Sequence, residues 1–105
     1  MIDEETIQKA VELLRQAAKP TKIVLFGSYA CGRQHEESDL DFLVVEQTVP
    51  ARRREMVRLS DVLRPLRIPV DVLVVSEKNF NYWSDTPGTV FYEAATRGKV
   101  VYEAS

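Results

Sequence analysis

The sequence has little of the chemistry from which disulfide frameworks and cysteine–histidine metal sites are built. Its 105 residues include one cysteine, Cys31, and one histidine, His35. A single cysteine forms no internal disulfide and no thiolate zinc site, which is typical of a protein from a reducing compartment. His35 has no second ligand residue beside it, so we interpret it as an exposed loop side chain. Disulfide-rich and zinc folds are therefore excluded.

Long apolar runs and a strong charge of one sign are also missing. No run approaches the roughly 18 residues of a membrane span, and the first residues are acidic, whereas a signal peptide begins with basic ones. We therefore expect a cytoplasmic protein without membrane contact. Fourteen basic and sixteen acidic side chains give a net charge of −2, which disfavours direct nucleic-acid binding.

The hydrophobic content and length predict one domain over residues 1–105. Hydrophobic residues make up 45% and charged residues 29% of the chain, a balance typical of globular proteins. A chain of this size buries roughly 65% of the surface that it exposes when unfolded, which allows one modest core. An activity that needs a second domain therefore needs a partner.

Apolar spacing predicts alternating helices and strands. Helical spacing predicts helices over about 4–18 and 50–63, the second with Pro50 at its first position. β-branched apolar runs predict strands over 22–26, 39–45 and 68–75. The last thirty residues predict a short helix, a loop, a helix over about 87–96 that ends with Gly98 at a C′ position, and a small strand over 100–102. This order predicts an α/β fold in which helices flank a small mixed sheet.

Three aspartates are the candidate catalytic residues. Asp39 and Asp41 are two residues apart on a predicted strand, so both side chains leave one face, roughly 6.6 Å apart at about 3.3 Å per residue. Asp71 lies in a strand apolar enough to be buried, where a carboxylate needs a cation or a donor. If the two strands are neighbours, the three carboxylates converge, and magnesium prefers such oxygen ligands.

Each aspartate also has a purely structural interpretation. Asp39 fits a carboxylate at a loop end or a helix cap, and Asp41 fits an exposed strand residue. Asp71 fits a buried ion-pair partner for an arginine. The sequence pattern by itself leaves both interpretations open.

Gly27 and Ser28 follow the first predicted strand and open a short helix over about 28–32. A backbone without a Cβ atom can approach a phosphate closely, and free N–H groups at a helix start can bind it. Ser28 adds a hydroxyl donor. This turn is the candidate phosphate-binding segment.

Together, residues 27–32, residues 38–44 and Asp71 resemble the nucleotidyltransferase signature of the DNA polymerase beta superfamily. The length resembles that of the minimal nucleotidyltransferases, many of which are antitoxins paired with HEPN-domain ribonuclease toxins. The resemblance covers about residues 7–102. It implies that Gly27 and Ser28 bind a nucleoside triphosphate, and that Asp39, Asp41 and Asp71 hold two magnesium ions and form the catalytic centre.

One position departs from the family pattern. Cys31 stands where the family usually has a basic residue, most often arginine. Arg33, two residues further on, is the candidate for the phosphate contact that Cys31 does not supply. Retention of all three acids nevertheless favours an active enzyme.

The resemblance implies an enzyme that transfers AMP from ATP to a hydroxyl, namely a tyrosine of a partner HEPN toxin, and that blocks RNA cleavage. Two magnesium ions about 3.5–4 Å apart would stabilise the attacking and leaving oxygens. One alternative is a non-catalytic antitoxin that covers the toxin surface. Another is a subunit whose substrate domain lies on a second chain. Homo-oligomers and hetero-oligomers both remain open.

Two further features have alternative interpretations. The arginine-rich face of the predicted second helix is either simply solvated or a docking surface for an acidic partner or RNA; its members are Arg52, Arg53, Arg54 and Arg58. Three aromatic residues in the last thirty residues of the chain are either part of the core or contacts for a partner; they are Phe80, Tyr82 and Trp83.

Overall fold

The computed structural model describes residues 2–27 and 39–104. Their elements in chain order are α1 (Glu4–Ala18), β1 (Lys22–Phe26), β2 (Leu40–Glu46), α2 (Arg52–Leu63), a 3-10 turn (Arg64–Leu66), β3 (Val70–Ser76), α3 (Glu77–Trp83), α4 (Val90–Arg97) and β4 (Lys99–Glu103). The short helix expected over 28–32 lies outside the described residues, as do the site candidates Ser28 and Arg33 and the residues Cys31 and His35.

The four strands form one mixed sheet in the order β3-β2-β1-β4. β2 and β3 are parallel, whereas β1 runs antiparallel to both of its neighbours, β2 and β4. The parallel pair needs a crossover connection, and α2 lies in that connection. The predicted α/β fold with a small mixed sheet is therefore confirmed.

Helices cover both faces of the sheet because alternate residues of each strand point to opposite sides. α1 and α2 pack on the face that includes Phe42, Val44 and Val74. α3 and α4 pack on the face that includes Val24, Leu43 and Val45. The central strand β2 is buried on both faces, which explains why its apolar run is nearly continuous.

Two helices begin later in the chain than the sequence predicted. α2 begins at Arg52 rather than Pro50, and no side chain caps its start. α4 begins at Val90 rather than near 87, because the Thr89 hydroxyl accepts a hydrogen bond from the Tyr92 N–H at 3.1 Å. A hydroxyl that accepts from an N–H group of the first turn is a typical start of a helix.

Gly98 does not occupy the left-handed conformation expected of a C′ glycine. Its backbone is extended, with φ −79° and ψ 165°. The absence of a side chain matters for a different reason, since a Cβ atom at Gly98 would collide with the Ala94 carbonyl and a methyl group of Val24. The glycine therefore lets the end of α4 lie directly on β1.

A buried carboxyl group lies at the far end of β2, away from the candidate site. Glu46 packs beside Glu55 of α2, and Glu55 forms a two-point ion pair with Arg58, with N–O distances of 2.8 and 2.7 Å. Glu46 Oε2 is buried without a hydrogen-bond partner. Burial first, and then the hydrogen bond and charge of Glu55, raise the pKa of Glu46 to about 8.

We expect Glu46→Gln to stabilise the fold increasingly as the pH rises. The folded state keeps a proton that the unfolded chain releases above its ordinary pKa of 4.5, so the wild type loses stability between about pH 4.5 and pH 8. Glutamine keeps a donor for Glu55 and removes this titration. Urea unfolding at pH 5.5 and 8.5 tests it, with the exposed carboxylate variant Glu77→Gln as control. A gain that is equal at both pH values would contradict the assignment.

No helix within residues 2–27 and 39–104 is long and apolar enough to cross a membrane.

Candidate active site

Two of the predicted site aspartates lie side by side at one end of the sheet. Asp41 of β2 is in register with Asp71 of β3, and adjacent strands lie about 4.8 Å apart. Asp41 is two residues before Leu43, and Asp71 two residues before Leu73; both leucines pack on the α3–α4 face. The two carboxylates therefore leave the same face of the sheet as close neighbours.

The location of Asp39 and the exposure of Asp71 differ from what the sequence predicted. Asp39 lies one residue before the start of β2 and is exposed, so it extends the acidic edge from a loop rather than from the strand. Asp71 is exposed rather than buried, because it lies near the beginning of β3, which is an edge strand of the sheet. Within the described part of the chain, Asp71 forms no ion pair.

Gly27 lies directly against the Asp41 carboxylate. Phe26, the last residue of β1, is in register with Asp41, and Gly27 follows with a φ of +78°, in the left-handed region that favours glycine. A Cβ atom at Gly27 would collide with Asp41 Oδ2. The backbone at Gly27 can therefore approach Asp41 this closely only because this residue has no side chain.

Among the described residues, the charges that act on Asp41 are all acidic. Burial first, and then the charges of Asp71, Asp39 and Glu93 in that order, raise its pKa from 3.8 to about 6. Each of these influences opposes ionisation. A cation bound between Asp41 and Asp71 would reverse them and restore the charged form.

Glu93 is a functional candidate that the sequence did not indicate. It belongs to α4, on the sheet face to which Asp41 points, and its charge acts on Asp41. Nothing in the spacing of Glu93 relative to the aspartates reveals this, because it depends on how α4 crosses the sheet. The end of the sheet thus carries four carboxylates, two from strands, one from the residue before β2 and one from a helix.

The donor set fits magnesium that is held jointly by the protein and a nucleotide. In residues 2–27 and 39–104, no three acidic, cysteine or histidine side chains form a ready-made metal site. Magnesium commonly binds one or two protein carboxylates and completes its octahedron with phosphate oxygens and water. Asp41 and Asp71 supply such a pair, and the uncompensated charge around Asp41 is relieved by a cation.

The aromatic residues and the arginines that the sequence singled out differ in their environments. Phe80 is buried and packs in the core, whereas Tyr82 and Trp83 are 68% and 41% exposed and contact each other edge to face. The four arginines of α2 are exposed; Arg52 donates to the Val74 carbonyl at 2.6 Å, and Arg58 pairs with Glu55. Part of the predicted arginine face is therefore structural.

The chain is similar to several known proteins. A Methanocaldococcus jannaschii protein assigned as a protein adenylyltransferase is 33% identical over 72 residues, which are 67% of this chain and 72% of that protein. A crystal structure of a toxin–antitoxin with AMP-PNP superposes with a TM-score of 0.67 at 26% identity, covering 99% of this chain and 76% of that one.

Two further structures share the fold. A mutant of the MntA–HpeT toxin–antitoxin has a TM-score of 0.63 at 25% identity and covers all of this chain and 76% of that one. A Sulfolobus solfataricus protein has a TM-score of 0.66 at 19% identity, over 94% of this chain and 78% of that one, and this likeness concerns the fold alone. The nucleotidyltransferase domain family matches residues 7–96. The chain therefore belongs to the nucleotidyltransferase family.

Proposed function

We propose that this nucleotidyltransferase moves AMP from ATP to a hydroxyl of a partner toxin and thereby acts as an antitoxin in the cytoplasm. The observation that carries the proposal is the register pairing of Asp41 with Asp71 beside the tight turn at Gly27. A carboxylate pair next to a close-approach glycine suits a metal-bound nucleotide. The proposed catalytic unit is one domain over residues 1–105.

In the proposed reaction, the acceptor oxygen attacks the α-phosphorus in line, its bond to phosphorus forms, and the bond to the leaving pyrophosphate breaks. Asp39, Asp41 and Asp71 would hold two magnesium ions, which supply charge stabilisation to the attacking and leaving oxygens. Asp71 would accept the acceptor's proton, and its exposure near the beginning of the edge strand β3 supports this role.

The turn that begins at Gly27 would hold the triphosphate. Ser28 would contribute its hydroxyl and the N–H groups after it would contribute donors, with Arg33 as a further phosphate contact. Such contacts act through position and charge rather than through covalent chemistry. The close contact of Gly27 with Asp41 supports this assignment, because it brings the first residue of the segment to a proposed metal-binding carboxylate.

The proposed acceptor is a tyrosine of a HEPN-domain toxin. Two relatives of this chain are toxin–antitoxin structures, and another is assigned as a protein adenylyltransferase. The exposed pair Tyr82 and Trp83 fits contact with a protein partner, because aromatic side chains are enriched in interfaces. A toxin bound to this chain would bring the hydroxyl to the acids.

The proposal is tested by label transfer in a lysate of the native host. The purified chain is incubated with magnesium and with ATP labelled at either the α- or the γ-phosphate, and compared with a folded Asp39→Asn, Asp41→Asn double variant. We expect α-label, and no γ-label, on one small protein with the wild type only. Label on RNA would move the acceptor to nucleic acid. No label with any NTP, while the chain still captures a toxin, would favour the non-catalytic antitoxin.

A further inference from the structure

The last turn of α4 carries an arginine that has no role in the proposed function. Arg97 is exposed and ends α4 immediately before Gly98. Within residues 2–27 and 39–104 it forms no ion pair, although Glu93 lies four residues earlier on the same helix, a spacing at which opposite charges commonly pair. As far as the described residues are concerned, the guanidinium group is therefore open to an external anion.

The strand register places Arg97 at the catalytic end of the sheet. Lys99 of β4 is paired with Leu25, and the next residue of β1, Phe26, is paired with Asp41. Gly98 is packed against Val24. The end of α4 thus lies one strand beyond β1, about 10 Å from β2 at twice the strand spacing of about 4.8 Å. Gly27, where the phosphate-binding turn begins, lies between them.

A groove runs beside this arginine along α4. Arg97 and Glu93 line the same groove of about 410 Å³, together with Thr89, Tyr92 and Thr96. Glu93 acts electrostatically on Asp41, so the groove and the acidic pair are neighbours. A ligand that contacts Asp41 can therefore extend toward the arginine.

The charge balance of the site calls for such a cation. Asp39, Asp41, Asp71 and Glu93 are acidic, and a nucleoside triphosphate is itself a polyanion. Magnesium neutralises the oxygens that it contacts, but phosphates beyond it need further donors. Arginine suits this task because its planar guanidinium group binds phosphate oxygens at two points.

We propose that Arg97 is a phosphate-binding residue for the β- and γ-phosphates of the nucleotide, which extend from the Gly27 turn toward the end of α4. The inference rests on the proposed function, since it concerns the same nucleotide. Arg97 positions the leaving pyrophosphate and takes no part in bond formation. It is independent of Arg33 and supplies positive charge from the opposite end of the chain.

Equilibrium binding of nucleotides in magnesium tests the assignment. Affinities for a non-hydrolysable ATP analogue and for AMP are measured by calorimetry for the wild type and Arg97→Gln. Hydrogen bonds to charged groups contribute about 1.5–3 kcal/mol, so we expect the analogue to bind roughly 10-fold to 100-fold more weakly to Arg97→Gln. Affinity for AMP, which lacks both outer phosphates, should stay unchanged.

Controls separate this role from a structural one. Arg97 also lies at the C-terminal end of α4, where a positive charge stabilises a helix, so its loss can lower the melting temperature. Arg53→Gln removes an exposed arginine of α2 that forms no ion pair in the described residues, and it should bind both nucleotides as the wild type does. Unchanged affinity of Arg97→Gln for the analogue would overturn the inference alone. Failure of the wild type to bind the analogue would overturn the proposed function as well.

Discussion

Asp41→Asn should abolish nucleotidyl transfer while leaving the fold at least as stable as the wild type. Asparagine removes the charge that would bind metal at the centre of the acidic edge. Metal ions supply several kcal/mol of transition-state stabilisation, and about 4 kcal/mol corresponds to a roughly 10³-fold loss of rate. α-label transfer to the partner measures the activity, and urea unfolding in EDTA measures stability.

The stability change in Asp41→Asn has a defined direction. Burial and neighbouring charges raise the pKa of Asp41 from 3.8 to about 6, so the metal-free wild type loses stability as the pH rises through this range. The variant lacks that penalty, and its advantage at pH 7.5 should exceed that at pH 4. Asp85→Asn, which changes an exposed acid in a loop, should alter neither property. A folded Asp41→Asn that transfers AMP at the wild-type rate would disprove the assignment.

Gly27→Ala should cause a second large loss of transfer, this time with loss of stability. The residue has a φ of +78°, and its new methyl group would collide with Asp41 Oδ2. A side chain in the left-handed region costs about 1–2 kcal/mol, and relief of the collision would displace the Asp41 carboxylate. We expect activity to fall at least 10²-fold, since small displacements at a reacting centre can have that effect.

Gly88→Ala separates backbone strain from the collision. Gly88 also has a positive φ, +92°, but a Cβ atom there would meet no atom within 4 Å. Its loss of stability therefore measures the strain alone, and Gly27→Ala should be destabilised more. Both are measured by urea unfolding, and transfer by Gly27→Ala is assayed where it is fully folded. Equal destabilisation of the two variants would show that the turn yields without moving Asp41.

The sequence predicted those features that depend on local pattern. The spacing of Ile7, Val11 and Leu14 predicted α1, and the structure places it at Glu4–Ala18. The composition of residues 39–45 predicted a strand, and the structure places β2 at Leu40–Glu46. The spacing of Asp41 from Leu43 determined which face the carboxylate uses, because side chains alternate along a strand.

Features that depend on strand order and helix placement could not be read in this way. Asp71 lies in an apolar run like that of β2, yet it is exposed because β3 is the edge strand. Glu93 and Arg97 become site candidates only because Gly98 lets α4 lie on β1. The buried carboxyl of Glu46 likewise follows from the packing of α2 against the end of β2. None of these contacts produces a periodic pattern in the amino-acid sequence.

The central claim is that Asp41 and Asp71 bind a divalent cation together with a nucleotide. Mn²⁺, which substitutes for magnesium in oxygen sites, is titrated into the purified chain and followed by electron paramagnetic resonance with and without a non-hydrolysable ATP analogue. We predict that the wild type binds Mn²⁺ tightly only when the analogue is present, and that Asp41→Asn does not bind Mn²⁺ tightly even with the analogue. Equal binding of Mn²⁺ by Asp41→Asn, or no binding by the wild type with the analogue, would contradict it.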